Sequence, residues 1–442
     1  MLTQRDFVEW YLANRQRSRA LFDLLDPDAY FLKPIPLRNP VVFYEGHLPA
    51  FSTNTLLQKG LGRPPIDPHL DRLFARGIDP ADEASARPRV PGAWPSRAEV
   101  ADYGRQVDNA VVAALDSADF DPGDRRLTEM AYAILEHEAM HQETLCYMWH
   151  ELAHRYKSPP PEGDPPAPAA GGAAATPRVR VAAGTATLGV APTAIPFGWD
   201  NEFPACRVAV PAFEIDVHNV SNGDFMAFVE AGGYRERRWW SAEGWAWLQE
   251  KAIAHPHFWS HQGSGWAWRG MFALRDLPLD WPVFVSHAEA AAYARWKGAR
   301  LPSEAQYQRA AHGAPGGEER RHPWGDAPPD ARRGNFDFAR WDPLPVGSCP
   351  AGASAWGVHD LVGNGWEWTT TPFAGHPGFA PMASYPEYSA DFFDGQHYVL
   401  KGASPATAAA LIRPTFRNWF RATYPYVYAT FRTVGASDGA EG

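Results

Sequence analysis

Residues 158–177 divide the chain, because this stretch cannot contribute to a hydrophobic core. Its sequence, SPPPEGDPPAPAAGGAAATP, is rich in proline, alanine and glycine and has no large apolar side chain. Such a composition is typical of a linker. We therefore predict an N-terminal domain over 1–157 and a C-terminal domain over 178–435, each long enough in this 442-residue chain to enclose its own core.

The N-terminal part has the apolar spacing of helices. Large apolar residues recur with a helical period over 3–25, and a second apolar segment covers 48–61. Ser96 and, three positions later, Glu99 form a capping box that begins a third helix, and a fourth is predicted over 128–156. Four helices with irregular connections favour a four-helix bundle, a fold that often builds metal sites from side chains on facing helices.

The C-terminal part alternates short apolar runs with Gly, Pro, Asn and Trp. Runs such as 213–217 and 397–400 have the length of strands, and two short helices are predicted over 222–231 and 286–297. The pattern favours an α+β domain with little regular structure and long loops.

Two histidines of the fourth predicted helix have the spacing of metal ligands. His137 and His141 are four residues apart, so a helix places both imidazoles on one face, close enough to share an ion. With Glu138 they spell HExxH, the pattern of zinc proteases, in which the Glu is the general base. A third ligand downstream would have to come from beyond the linker, whereas His47 is a candidate within the same domain. A helix with two surface or capped histidines is the structural alternative.

Composition excludes several classes of function. The formal net charge is −10, and no basic block interleaves with aromatic residues, so nucleic acid is not an expected partner. The cysteines, Cys146, Cys206 and Cys349, are far apart and form no CxxC, which excludes a disulfide framework and indicates a reducing compartment. The N-terminus does not have the pattern of a signal peptide, and no apolar run is long enough to span a membrane. We therefore expect a cytoplasmic protein.

Several segments of the C-terminal part resemble, in this order and spacing, the formylglycine-generating-enzyme-like domain, whose core is a C-type-lectin-like fold. They are FEIDVHNVSNGDF (213–225), WPV (281–283), ARLPSEAQY (299–307), PWG (323–325) and GVHDLVGNGWEW (357–368). The resemblance covers nearly all of 178–435 and implies that fold. The cysteine oxidation that gives the family its name depends on a cysteine pair near the C-terminus. This chain has no cysteine after Cys349, so that activity is disfavoured.

A helical bundle with HxxxH joined to this domain resembles the iron-dependent sulfoxide synthases of ergothioneine biosynthesis (the EgtB type), whose bundle is DinB-like. Residues 34–56, with FYEGHLPAF, resemble the segment that carries that family's first metal ligand, and HEAMHQE (137–143) resembles the segment of the other two. FGWDNE (197–202) and RPTFRNW (413–419) are similar to segments of its C-terminal domain. The resemblance therefore spans both parts of the chain.

This resemblance implies a non-heme iron oxygenase. Fe(II) held by His47, His137 and His141 would use O2 as co-substrate to join the imidazole C2 of hercynine (trimethylated histidine) to a cysteine sulfur, as a sulfoxide. Three imidazole ligands leave three positions of an octahedral iron open, and they leave more positive charge on the metal than a carboxylate would, which favours a thiolate. Glu138 and Glu143 flank the ligands and are predicted to accept hydrogen bonds from imidazole N–H groups.

The resemblance also implies a set of residues in the C-terminal part. Tyr385 aligns with the tyrosine that donates a proton during oxygen activation, although its assignment is exchangeable with that of Tyr388. The implied substrate-binding residues are Tyr388, Asn418, Trp419, Phe420, Arg413 and Arg417. The aromatic ones suit a trimethylammonium group, and the arginines suit a carboxylate. Phe420 stands where the branch of the family that uses γ-glutamylcysteine has an Asp, which favours free cysteine as the sulfur donor.

Other activities stay open at the level of the sequence. The same fold serves ovothiol-type chemistry, which joins histidine and cysteine at the imidazole C5, and a selenium donor is a further alternative. A zinc protease built on His137, Glu138 and His141, or a module that only binds ligands, is more distant. The sequence does not determine the sulfur donor, the residues that bind the donor carboxylate, or the oligomeric state.

Overall fold

The computed structural model describes residues 2–75, 94–120, 125–160, 177–263 and 265–435. The chain forms two compact units, Met1–Gly163 and Asp164–Gly442, with a boundary that falls within the predicted linker. Residues 161–176 of that linker lie outside the described residues. The first unit is helical and the second mixes helices with short strands, so the predicted fold class is confirmed. In the parts of the chain that the structure describes, no helix is long and apolar enough to cross a bilayer.

The N-terminal unit is built from helices of unequal length. Its described α-helices are α1 (Gln4–Phe22), α2 (Val41–Ser52), α3 (Pro68–Leu73), α4 (Arg97–Ser117) and α5 (Arg125–Glu151). The capping box predicted at Ser96 and Glu99 begins α4, and a second one, from Thr3 and Asp6, begins α1. The four predicted helices are confirmed as α1, α2, α4 and α5, but α2 starts well before the predicted 48–61. The short helix α3 was not predicted.

α2 is the central helix of this unit. It is buried along nearly its whole length and packs against α4 and α5, and a helix that is apolar on every side belongs in a core. Pro49 lies within α2 and has no N–H to donate, and from Thr53 to Gly60 the chain continues as a π-helix. A π-helical turn is uncommon and often marks a functional site.

The C-terminal unit has short helices, short strands and long loops. Its helices are α6 (Asn222–Glu230), α7 (Ala242–Glu250), α8 (His287–Trp296) and α9 (Glu304–His312). Its strands are β1 (Arg178–Val181), β2 (Gly184–Leu188), β3 (Cys206–Val210), β4 (Phe213–Asp216), β5 (Trp259–Gln262), β6 (Gly265–Arg269), β7 (Leu274–Asp276), β8 (Ala299–Arg300), β9 (Gly365–Pro372), β10 (His397–Ala403), β11 (Asn418–Arg421), β12 (Ala429–Thr430) and β13 (Val434–Gly435). The helices α6 and α8 and the strands β4 and β10 confirm the sequence predictions, whereas α7 and α9 were missed.

The strands pair in four described sheets. Their orders are β1-β4-β13-β8, β11-β10-β9-β12, β2-β3 and β5-β6-β7. In the second sheet β10 lies between β9 and β11, antiparallel to both, with Val399 opposite Trp419 and Leu400 opposite Trp368. Ring contacts of Phe373, Tyr388 and Phe392 with Trp419 bring the loop 373–396 beside the edge strand β11. Together the loop and the strand carry most of the residues that the sequence assigns to the substrate.

A fully buried ion pair connects the central strand β9 to the last strands of the unit. The Arg432 guanidinium donates to both carboxylate oxygens of Glu367, at 2.7 Å each, and neither side chain is exposed to solvent. Arg432 also donates to the backbone carbonyls of Asp216, Val217 and His359. A bidentate pair of this kind fixes both distance and angle between the segments it joins.

Replacing Arg432 by Met should destabilise the C-terminal unit by about 3–5 kcal/mol, because Glu367 is left as an unpaired buried charge. The measurement is the urea midpoint of unfolding. The double variant Arg432→Met with Glu367→Leu should recover part of the loss. As the control, Arg5→Met breaks an exposed pair with Glu9 and should leave the midpoint unchanged. An unchanged midpoint for Arg432→Met would contradict the assigned role.

Candidate metal centre

The structure brings the three candidate ligands together inside the N-terminal unit. His47, His137 and His141 each offer a ligand nitrogen, and these atoms lie within 4.8 Å of one another. The centroid of the His47 ring is 5.1 Å from that of His137 and 4.9 Å from that of His141, and the latter two are 4.4 Å apart. The spacing of four residues on α5 places two of the imidazoles side by side, and α2 supplies the third from across the helix contact.

The hydrogen bond of His47 determines which of its nitrogens faces the cluster. Its Nδ1 lies 2.7 Å from the carbonyl oxygen of Phe74. A carbonyl can only accept, so Nδ1 carries the proton and Nε2 keeps its lone pair. Nε2 is buried and has no hydrogen-bond partner among the described residues. The Nδ1 atoms of His137 and His141 are buried without a partner in the same sense. Buried ring nitrogens without partners suit a bound transition metal.

Aromatic rings on α2 cover two of the imidazoles. Phe51 stacks on His137 with centroids 3.5 Å apart and an angle of 6° between the planes. Phe43 stacks on His47 at 5.2 Å and 15°. Because Phe43, His47 and Phe51 follow one another at intervals of four residues, they form one stripe of α2. The sequence analysis did not single out Phe43 or Phe51, although this spacing was available to find them.

Burial keeps the three imidazoles neutral near pH 7. Burial lowers the pKa of His47 to about 4, against the opposite effect of its hydrogen bond to Phe74. Burial, followed by the neighbouring His141 and His47, holds the pKa of His137 well below 6.5. Burial, followed by His47 and Arg38, does the same for His141. A metal binds the neutral ring, so no proton has to be displaced at neutral pH.

Glu138 lies on a different face of α5 from the histidines. Its Oε1 accepts hydrogen bonds from Arg15 Nη1 at 2.8 Å and from Ser18 Oγ at 2.6 Å, both on α1. Gln142, one turn further on, also donates to Ser18. The described hydrogen bonds of Glu138 therefore go to α1 and not to a ligand imidazole. The N–H of His47 donates to a backbone carbonyl instead. A zinc protease needs this Glu beside the metal-bound water, so the structure disfavours that alternative.

Glu143 is buried on α5, two residues beyond His141. It lies close enough to Cys146 to contribute, after burial, to the raised pKa of that thiol. Its predicted hydrogen bond to a ligand imidazole stays a prediction. Cys146 itself is buried, and burial raises the pKa of its thiol, so that it stays protonated at neutral pH.

The C-terminal unit gathers two of the predicted substrate residues and the predicted proton donor into one aromatic cluster. Tyr388 stacks on Trp199 at 4.0 Å and meets the edge of Trp419 at 5.3 Å. Tyr385 lies next to Tyr388, with ring centroids 5.7 Å apart. Trp419 also stacks on Phe373, at 4.1 Å and 6°. We call Trp199, Tyr385, Tyr388, Phe373 and Trp419 the aromatic cluster. Trp199 belongs to the FGWDNE segment, which was the available signal for it.

Asn418 and Phe420 lie on the same strand as Trp419 but not on its face. Successive residues of a strand point to opposite sides, so Phe420 is directed away from the aromatic cluster. Phe420 stacks on Tyr424 at 5.2 Å and 10°. Asn418 accepts a hydrogen bond from the backbone N–H of Trp419 with its side-chain oxygen. The structure thus separates these two residues from the cluster that the sequence assigned to the same substrate.

The two candidate arginines are engaged by buried carboxylates. Arg413 donates to both oxygens of Glu202, with Nε 2.7 Å from Oε2. Arg417 pairs with Glu304, with Nε 2.9 Å from Oε1. The ion pair with Arg413 holds the pKa of Glu202 below its usual value despite burial. These pairs give both arginines a role in holding loops of the unit, and their binding of a substrate carboxylate stays a prediction.

Comparisons with known proteins extend over both units. Residues 166–437 match the family of the sulfatase-modifying factor enzyme 1-like domain, and residues 11–145 match the DinB superfamily. The domain families expected from the sequence are thereby confirmed.

Three bacterial proteins named hercynine oxygenase are similar to this chain over most of its length. That of Mycolicibacterium thermoresistibile is 37% identical, with 90% of this chain and 87% of the relative covered. That of Mycolicibacterium smegmatis is 35% identical, with 95% and 96% covered. That of Mycobacterium tuberculosis is 39% identical, with 90% and 91% covered. The expected relationship is therefore confirmed over most of the chain and not for one domain alone.

Removal of one ligand should abolish tight metal binding. We expect His137→Ala to raise the metal dissociation constant by more than about 100-fold. This loss should exceed the one that follows when a ligand imidazole only loses its hydrogen-bond partner. The measurement is competition against a chromophoric chelator under anaerobic conditions. The matched control is His69→Ala, because His69 is exposed on α3. Equal affinity of His137→Ala and the wild type would contradict the centre.

Proposed function

Because the chain belongs to the hercynine oxygenase family, we propose that it joins hercynine to a thiol with O2 and releases the product as a sulfoxide. The observation that carries this proposal is the buried cluster of His47, His137 and His141 in a chain of that family. The reaction balances as hercynine C2–H plus thiol S–H plus O2, giving the C–S bond, one S=O bond and one water. Both hydrogens and one oxygen atom leave as that water.

We propose Fe(II) as the metal of this site. Imidazole is a ligand that suits iron as well as zinc and copper, so the choice of iron rests on the oxygenase relationship and not on the donor set alone. When bound, Fe(II) would supply open coordination positions and the electrons with which O2 is activated. The protein's part is to hold three neutral imidazoles at fixed distances and to wall off two of them with Phe43 and Phe51.

The aromatic cluster suits the cationic end of hercynine. A trimethylammonium group cannot donate hydrogen bonds, and it is bound best by the faces of Trp and Tyr rings. The Tyr388 ring has its centroid 4.0 Å from that of Trp199 and 5.3 Å from that of Trp419. Asn418 lies outside this cluster, and its proposed contact with hercynine rests on the family resemblance of the segment RPTFRNW. Tyr385, at the side of this cluster, would give the proton of its phenol Oη during oxygen activation.

Free cysteine is the proposed sulfur donor. A γ-glutamyl group carries a further amine and carboxylate, which need charged partners. At the position where the γ-glutamylcysteine branch has an acidic residue, Phe420 instead stacks on Tyr424. Arg413 and Arg417 are already paired with Glu202 and Glu304. The apolar stack of Phe420 on Tyr424 favours a sulfur donor that lacks the charged γ-glutamyl group.

The test is a reconstitution in the absence of oxygen. The protein is loaded with Fe(II), given hercynine with either cysteine or γ-glutamylcysteine, exposed to O2 and analysed by mass spectrometry. We expect an O2-dependent conjugate of hercynine and cysteine that is one oxygen heavier than the thioether. Iron-loaded protein that forms no such conjugate with either thiol would contradict the proposal, and histidine and a selenium donor would then be tried in the same assay.

Loss of the phenol at 385 should separate chemistry from metal binding. We expect Tyr385→Phe to bind Fe(II) as tightly as the wild type while sulfoxide formation falls by about 100-fold or more, because a proton donor in the transition state contributes that much. The matched control is Tyr156→Phe, which removes a hydroxyl that accepts from the exposed Arg155. Retained sulfoxide synthesis in Tyr385→Phe would remove this tyrosine from the mechanism.

A further inference from the structure

The third ligand differs from the other two in how it is aimed. The period of α5 brings His137 and His141 to one face, whereas His47 comes from α2. Its ring is oriented by a contact outside both helices, the 2.7 Å hydrogen bond from Nδ1 to the carbonyl oxygen of Phe74. Phe74 is the residue that directly follows α3. The position of α3 fixes the Phe74 carbonyl, and the carbonyl in turn fixes the direction in which Nε2 of His47 points.

Gly46 lets the end of α3 come this close to α2. A β-carbon at position 46 would lie 2.4 Å from Cε2 and 2.5 Å from Cδ2 and Cζ of the Phe74 ring. Such distances are far inside van der Waals contact, so any side chain at 46 has to displace the ring. Phe74 is completely buried and lies among Phe43, Trp94 and Tyr103, which leaves the ring little room to move aside.

α3 is also held in place by the side chain of Asp71. The buried carboxylate accepts from Tyr103 Oη of α4 at 2.7 Å and from Gln58 Nε2 of the π-helix at 2.9 Å. It also accepts from the backbone N–H of Ile66 at 3.1 Å. A helix of only six residues has little stability of its own. These bonds, none of which involves the Phe74 ring, therefore hold α3 in position.

We propose that α3 is a positioning element for the metal centre, and this inference rests on the proposed metal site. The carbonyl of Phe74 holds His47 as the Nδ1–H tautomer with Nε2 toward the other two histidines, Gly46 permits the approach, and Asp71 fixes the helix. An acceptor behind a ligand imidazole raises its basicity and sets its angle, and loss of such a partner typically weakens metal affinity about 10–100-fold.

The test is a double-mutant cycle on metal affinity. Co(II) serves as the probe, because its visible absorption reports both binding and the coordination geometry. Gly46→Ala is compared with the wild type, with Phe74→Ala, and with the variant that carries both changes. Removal of the ring leaves the backbone carbonyl in place and gives the new methyl group space. The matched control is Gly104→Ala on α4, where a β-carbon meets its nearest atom at an ordinary 3.8 Å.

We expect Gly46→Ala to weaken Co(II) binding by about 10–100-fold and to alter its absorption, with Gly104→Ala unchanged. In the Phe74→Ala background the same substitution should change the affinity by less than about 2-fold. The doubly substituted protein lacks a large core side chain, so its unfolding midpoint should be lower than that of Gly46→Ala. Recovery of metal affinity together with lower stability is a result that general destabilisation cannot produce.

Two results would overturn the inference. One is wild-type affinity in folded Gly46→Ala, and the other is an equal loss from that change with and without the Phe74 ring. If Gly46→Ala does not fold, Tyr103→Phe, which removes one bond to Asp71, takes its place, and an unchanged Co(II) affinity there contradicts the proposal. Failure of the wild type to bind Co(II) or Fe(II) would instead contradict the metal centre itself, which keeps the two failures distinct.

Discussion

The burial of three imidazoles where α2 meets α5 is the constraint on which the N-terminal unit depends. A buried nitrogen without a hydrogen-bond partner costs about 1–3 kcal/mol, and this contact contains several. The same burial keeps the rings neutral and excludes water from the Phe43 and Phe51 sides. A bound metal would offset the cost by giving the lone pairs a partner. Under the proposed function, folding and metal binding would therefore be coupled in this unit.

The HExxH motif of α5 has a different role here from the one it has in a zinc protease, because of the helices packed around it. His137 and His141 face α2, while Glu138 and Gln142 face α1, where Arg15 and Ser18 bind the carboxylate. In a zinc protease the Glu carboxylate of this motif has to reach the metal-bound water. Here it serves the contact between two helices. Its ion pair with Arg15 is buried, and such pairs fix geometry more than they add stability.

The C-terminal unit achieves rigidity without long helices or a large sheet. Buried arginine–carboxylate pairs connect distant segments, such as Arg413 with Glu202 and Arg417 with Glu304. Loops held by such pairs present the aromatic cluster. Functional loops on a rigid scaffold are common in proteins, because the scaffold gives each loop residue a defined position.

Local periodicity and motif order in the sequence determined a great deal here. A spacing of four residues pairs His137 with His141 in any helix, Ser96 with Glu99 caps one, and the ordered segments of the second part predict its fold. The tertiary structure alone decided that His47 reaches that pair, that a carbonyl after α3 aims it, and that Glu138 turns toward α1. The reason is physical: helix and cap geometry depends on residues a few positions apart. Contacts between residues tens of positions apart depend instead on how whole helices pack, which no short pattern encodes.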